Sequence, residues 1–440
     1  MKRHLWNTHF FLLLLLVSCG KKADPNALEQ LRAGIEKIFS PHRVAQIEFT
    51  TPRGFAAIVG AYISSGQPAY VDVGLNMDGE TLKSVGLRLR APITTGTGES
   101  EIKYSLRVNF NYFGGPRFYQ IDRIHLGNNK KDPSLMRQIL ASHIYRSMHV
   151  PASHNTYAWV VADGSPLGLY TLTEVIDKRF VWAYYGEENN AHTGNLYKCE
   201  PPGCNLTWKG PNKSDYLDMS CLEQDGCGLV LKTNEKDPIL NNYSDIIDFL
   251  DFLNHASEEE FTANFENYFE VDTFLRYLAV AIVISDHDGY LGSIDNFYLY
   301  HRPDTGRFVF IPWDSHKSMG IRNCAMATHP TGAPLDHPVC TTETRPLVER
   351  ILNVPAWRAQ YLQYVREILD ELFVPEIIQE QVTALEDLIQ ERISADPNSL
   401  VTPQEHAIAI SSADSFGDDM NLMEFIQKRR NYLTTLLGDN

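Results

Sequence analysis

Positive charge is scarce in this chain. Its 39 lysines and arginines stand against 55 aspartates and glutamates, a formal net charge of −16 over 440 residues. That balance excludes a general nucleic-acid binder, because phosphate contacts need clustered Lys and Arg. Long apolar runs are absent after the first twenty residues. The best later candidate, Leu275 to Ile284, is broken by Arg276 and reads as a buried helix, so no later segment is long and apolar enough to cross a membrane. A G-x-S-x-G elbow and a Cys/His constellation are missing, which removes the usual covalent hydrolases. His287, His316 and His329 raise a metal-hydrolase reading, but none has the helical H-E-x-x-H spacing. No internal repeat is visible.

What is present begins with an export signal. Lys2 and Arg3 precede an unbroken apolar run from Phe10 to Val17, too short for a comfortable span. Leu16-Val17-Ser18-Cys19 resembles a bacterial lipobox, with Cys19 as the lipidated first residue of the mature chain. Gly20 follows, so the inner-membrane retention signal expected of an Asp there is absent. The expectation is an exported protein anchored by lipid, at the outer membrane or cell surface where a cell has two membranes. Loss of Lys2 and Arg3 takes the charge from −16 to −18.

Six cysteines remain: Cys199, Cys204, Cys221, Cys227, Cys324 and Cys340. An even count in an exported chain favours disulfides. The four within 199–227 are spaced too widely for the usual zinc knuckle.

The mature chain divides into a tether and helix over 19–43, a domain over 44–343 with a Cys-rich insert at 199–227, and a helical part over 344–440. Strands are expected at Ala69–Val73, Val85–Arg90 and Tyr104–Phe110. The last puts Tyr104, Leu106, Val108 and Phe110 on one face and Lys103, Ser105, Arg107 and Asn109 on the other. From Val44 to Phe110 the pattern is mostly strand and turn. Asp132-Pro133-Ser134 opens a helix, and a hairpin turns at Asp163-Gly164, ending at Glu174. Helices are expected over Tyr243–Asn254 and Val271–Ile284. The tail is helical, with apolar stripes at Val365, Ile368, Leu369, Leu372 and at Ile378, Val382, Leu385, Ile389. The fold class is α+β, strand-rich first and helical later.

The chemistry concentrates between Ser285 and Gly320. Asp286, Asp288, Asp295 and Asn296 sit in a Gly-punctuated loop; a strand from Phe297, a turn at Pro303–Gly306 and a second strand from Phe308 deliver Asp314. Hard oxygen ligands at one end of a hairpin suit Mg²⁺, which completes its shell with phosphate and water. An EF-hand fails, because its Gly and last Glu positions hold Leu291 and Phe297.

Several ordered motifs then resemble one family. The stretch LGNNKKDPSLMRQILASHIYRSMHVPA, the segment SPLGLYTLTEVIDKRFV, Gly194-Asn195-Leu196-Tyr197-Lys198, and Asp288 with Asn296-Phe297-Tyr298-Leu299-Tyr300 and Ile311-Pro312-Trp313-Asp314 look like the CotH-type spore-coat kinases. Phe425-Ile426-x-Lys428-Arg429-Arg430 fits its helical tail. The resemblance implies an atypical, two-lobed protein-kinase-like fold that uses ATP and Mg²⁺ to phosphorylate protein hydroxyls. It implies Asp288 as the catalytic acid, Asn296 and Asp314 as metal ligands, and Lys103, Arg107 and Lys198 as phosphate contacts. The chain departs from the family at Ala91-Pro92-Ile93 after Arg90, at Arg107 where Lys is common, at Gln138 for Glu, and at His316 for a second Asp. Those departures admit an alternative: a non-catalytic, kinase-like surface module that binds a partner.

Overall fold

The computed structural model of the chain describes residues 26–90, 103–186, 194–219, 226–321, 330–335, 340, 343–413 and 419–438. The signal segment, Cys19, the 92–99 loop, Cys221, Cys324 and His329 lie outside the described residues.

Seven strands close into a barrel: β1 (Val44–Thr50), β2 (Val71–Met77), β3 (Glu80–Leu89), β4 (Leu106–Asn109), β5 (Arg123–Gly127), β6 (Asn155–Ala162) and β7 (Ser165–Glu174), in the order β1-β2-β3-β4-β5-β7-β6. Parallel pairing of β1 with β6 closes it; the other neighbours are antiparallel. Period-two alternation sends Phe49, Leu75, Leu87, Leu106, Val108 and Leu126 into a buried core, each such side chain contributing about 1.5–3 kcal/mol. A second sheet runs β12-β11-β8-β10-β9, built from β8 (Leu196–Glu200), β9 (Leu217–Asp218), β10 (Cys227–Leu231), β11 (Phe297–His301) and β12 (Phe308–Pro312).

Helices α1 (Ala27–Ile38) and α2 (Phe55–Ser65) accompany the barrel, followed by α3 (Arg137–Ser147) and α4 (Lys178–Tyr185). The later helices are α5 (Ser244–His255), α6 (Glu258–Asn264), α7 (Val271–Val283), α8 (Pro346–Asn353), α9 (Pro355–Glu367), α10 (Pro375–Ala395), α11 (Pro403–Ala409) and α12 (Leu422–Gly438). The α+β expectation, strand-rich first and helical later, holds. Both tail stripes are at the packed face: Val365, Ile368, Ile378, Val382 and Ile389 are buried in the main core. Among the described residues no helix is long and apolar enough to cross a membrane.

Two local expectations change and one is borne out. Residues 55–65 form a helix, closed by Gly66 in the left-handed region. The helix expected at Asp132 starts at Arg137, because Leu135 takes a positive φ of 57° and breaks the run. Asp132 instead accepts the backbone N–H groups of Ser134 and Arg137, both at 3.0 Å, and pairs with the Arg137 guanidinium at 2.7 Å. Cys199 and Cys204 form a disulfide, and Cys227 and Cys340 are disulfide-bonded, which favours that reading of the cysteines over zinc.

Lys103 lies in a buried pair. Its ammonium contacts Asp396, at the C-terminal end of α10, at 2.5 Å and donates to the Leu169 carbonyl at 2.6 Å; Asp396 also accepts the Leu169 N–H at 2.9 Å. Gly168, at φ 106°, leaves the room, since a Cβ there would fall 1.9 Å from the Asp396 carboxylate. Burial pulls the Lys103 pKa down against the pull of Asp396. Removing one partner of such a pair strands the other. Asp396→Ala should therefore cost about 3–5 kcal/mol in denaturant unfolding, and Lys103→Met added to it should recover part of that loss. A double variant no more stable than Asp396→Ala would overturn the stranded-charge account.

Candidate active site

The acidic segment is held by backbone chemistry before its side chains matter. Helix α7 ends with carbonyls that need donors. Arg429, buried on α12, donates to Ile282 O at 2.6 Å, to Ala333 O at 2.8 Å and to Thr331 O at 2.6 Å. Arg345, buried before α8, donates to Tyr290 O at 2.9 Å and Gly292 O at 3.1 Å in the middle of the loop. Arg137, buried on α3, donates to Met319 O at 3.2 Å and Met420 O at 2.8 Å at its far end. The disulfide-closed insert adds Cys204 N–H to Ile294 O at 2.7 Å. Such bracing sustains Ser285, Ile294, Asn296, Asp314 and Met319 at positive φ, each costing about 1–3 kcal/mol for a non-glycine residue.

Between these clamps the acids converge. β11 and β12 pair with Phe297 opposite Pro312, and the Trp313 N–H donates to Asn296 O at 3.0 Å, so Asn296 and Asp314 lie side by side at the open end of the hairpin. The Asn296 amide donates to the Asp288 carbonyl at 2.7 Å and reaches the Asp288 carboxylate at 3.3 Å. The one-turn helix Ser315–Lys317 follows. His316 Nδ1 donates to Asp314 at 2.8 Å, and Lys317 lies 3.0 Å from one Asp288 oxygen and 2.9 Å from the other. Burial raises the Asp288 pKa against Lys317. Burial would raise Asp314 too, but His316 and then Arg90 hold it well below the usual carboxylate range.

Arg90 and His125 come from the barrel. Register aligns Arg88, Arg107, His125 and Thr173 across β3, β4, β5 and β7, on the face opposite the barrel core. His125 is buried and held neutral by burial and by Arg90 and Arg107; its Nδ1 donates to Leu106 O at 3.1 Å and its Nε2 faces Arg90 at 3.5 Å. Burial, then Arg90, lowers Arg107 to about 10. Its Nε and the Trp313 Nε1 are buried without a hydrogen-bond partner among the described residues. Lys198, opposite Tyr298 on β8, pairs with Glu200 at 2.6 Å, and burial lowers it to about 8. The acidic hairpin end thus lies within charge reach of a cationic barrel face.

A family model described as CotH kinase protein matches residues 94–433. The chain belongs to the CotH kinase family. It is also 24% identical over 290 residues to the inner spore coat protein H of Bacillus subtilis (strain 168), covering 66% of this chain and 74% of that protein.

Of the residues the family resemblance selects, the structure brings Asp288, Asn296 and Asp314 together and sets Arg107 and Lys198 on the cationic side. Lys103 is not brought there; it is spent on Asp396. Gln138, at the family's Glu position, donates to Ser142 within its own helix at 3.1 Å. Glu174 accepts the N–H and the ring of His154, at 3.1 and 2.7 Å. The clamping Arg345 and the cation Lys317 carry no local spacing signal, whereas Arg88 and Arg90 are readable as the R-x-R end of a strand and His316 as a departure from the family pattern.

Among the described residues no three His, Cys, Asp or Glu side chains gather into a metal cage. The donor set instead fits a sparsely held Mg²⁺: the Asn296 amide oxygen, whose NH₂ is used on Asp288, and one Asp314 oxygen beside that bonded to His316. The orphaned Arg107 and Trp313 donors fit an anion such as phosphate.

Asp286 is buried, accepts the Tyr145 hydroxyl at 2.9 Å, and is raised by burial to about 6. The folded state therefore binds this proton more tightly than the unfolded chain, so stability falls as pH rises from about 4 to 6. Asp286→Asn should raise stability at pH 7 by on the order of 2–3 kcal/mol, with the gain vanishing below about pH 4. Equal gains at pH 3.5 and pH 7 in thermal unfolding would contradict the burial account.

Proposed function

We propose that this chain transfers the γ-phosphoryl group of ATP to a protein Ser or Thr hydroxyl on a protein-kinase-like fold, in the presence of Mg²⁺. The observation that carries the reading is the nearness of the Asp288–Asn296–Asp314 corner to the arginine row of the barrel, where Arg90 acts on Asp314 and the buried Arg107 Nε has no hydrogen-bond partner among the described residues. Family membership supports it. Asn296 and Asp314 would hold the cation, which when bound neutralises phosphate charge. Arg107 and Arg90 would grip phosphate oxygens, with Lys198 beside them. The acceptor oxygen forms its bond to the γ-phosphorus as the bond to the β–γ bridging oxygen breaks. That electron pair leaves with ADP, and the hydroxyl proton passes to Asp288. The lipid anchor proposed at Cys19 would place this reaction at a membrane surface.

A second reading, a module that binds a partner without transfer, draws on Gln138. It bonds within its own helix rather than to a phosphate-gripping cation.

The deciding experiment incubates the purified chain with γ-labelled ATP, Mg²⁺ or Mn²⁺ and an added acceptor protein. Label transfer that falls by about 10²-fold or more in Asp288→Ala and is lost in Asp314→Ala establishes the enzyme. ATP binding without transfer supports the module, and no ATP-induced thermal shift with either metal overturns the kinase.

A further inference from the structure

The turn after β12 adds two cations to an acidic wall. Asp314 enters it at φ 62° and ψ 48°, and the three residues that follow complete one tight helical turn. That geometry splays consecutive side chains: His316 folds back onto Asp314, while Lys317 crosses to Asp288. The Lys317 ammonium contacts both Asp288 oxygens, and Asp314 and Asp295 add to its negative surroundings. It therefore sits among three carboxylates, beside the oxygen that would accept the hydroxyl proton.

A triphosphate entering the site meets attraction from the barrel arginines on one side and these carboxylates on the other. Those carboxylates repel phosphate oxygens at close range, so a positive charge of the chain's own beside the transferred group would act together with the cation at Asn296 and Asp314. His316 is committed to Asp314. Lys317 is the cation whose nitrogen is beside the proposed proton acceptor, and its side chain is about one-third exposed, at 32%.

We propose that Lys317 is a further catalytic residue, contacting the γ-phosphoryl group of bound nucleotide. The proposal rests on the phosphoryl-transfer reading above. Its logic is a hand-over of charge. In the free protein the ammonium is held by Asp288. As Asp288 takes the acceptor's proton it loses its negative charge, and the attraction of Lys317 passes to the oxygens of the moving phosphoryl group, where negative charge is spread during transfer. The bonds made and broken are those already given, and no further reactant is needed.

Calorimetric titration of the full chain with ATP and with ADP, Mg²⁺ present throughout, tests this directly. Lys317→Met should weaken ATP binding about tenfold while leaving ADP binding within about twofold, because only the γ-phosphoryl contact is lost. Lys317→Arg should keep most of the preference for ATP. Equal weakening of both nucleotides in Lys317→Met, or no weakening of either, overturns the assignment while leaving the kinase reading intact. If Lys317→Met binds neither nucleotide, Lys317→Arg decides: a retained ATP preference supports the contact, and its loss overturns it. A wild-type chain that binds neither nucleotide defeats the kinase reading and this inference together.

Discussion

A buried loop must find donors for its carbonyls, and three buried guanidinium groups meet that demand for the segment that carries the acids. Arg429 takes the end of α7, Arg345 the middle of the loop and Arg137 its exit. Taking a cation out of water costs several kcal/mol, and only a fork of five donors can recover it against several carbonyls at once. A lysine has neither the donors nor the planar reach. The residues held at positive φ, including Asn296 and Asp314, depend on that bracing, so the position of the chemistry follows from where three arginines are buried.

The local part of this architecture was legible in the sequence. Alternation on β4 and the 3.6-residue stripes of α9 and α10 report which face meets a core, and the packing agrees at Leu106, Val108, Ile378 and Ile389. Asp288, Asn296 and Asp314 were readable as neighbours because a hairpin brings its two ends together whatever else the chain does. Non-local pairings left no trace. Closure of the barrel depends on parallel β1–β6 contacts across more than a hundred residues, which no periodicity encodes. Lys103 shares an alternating pattern with Arg107, but Asp396, 293 positions away, decides where it goes. The α2 segment looks strand-like because its Ile, Val, Tyr and Phe favour strands locally, while its position against the barrel makes it a helix.

The two halves of the site are rigid for different reasons and joined by charge. The barrel face is fixed by a closed sheet with a filled core, and the acidic corner by the arginine clamps. Asp314 belongs to the second half, yet Arg90 of the first helps to keep it ionised. His125 stays neutral for the same reason, since two arginines beside it oppose a third positive charge. Phosphoryl transfer relies on positioning and charge rather than on covalent help, and a site whose ionisation states depend on both halves keeps its charge pattern only while those halves stay in register.

That coupling also accounts for arginine at position 107. Desolvation opposes a positive charge on this row. The lysines that share such surroundings are pulled down, Lys198 to about 8 even with Glu200 against it and Lys103 in spite of Asp396. Arg107 has no such acid in direct contact among the described residues and has Arg90 beside it, yet is lowered only to about 10. Guanidinium starts some two pKa units above ammonium and is more weakly hydrated. It therefore keeps its charge well above neutral pH, with a wider margin than an ammonium in the same surroundings would have. The departure from the family's common lysine preserves positive charge in a dry part of the site.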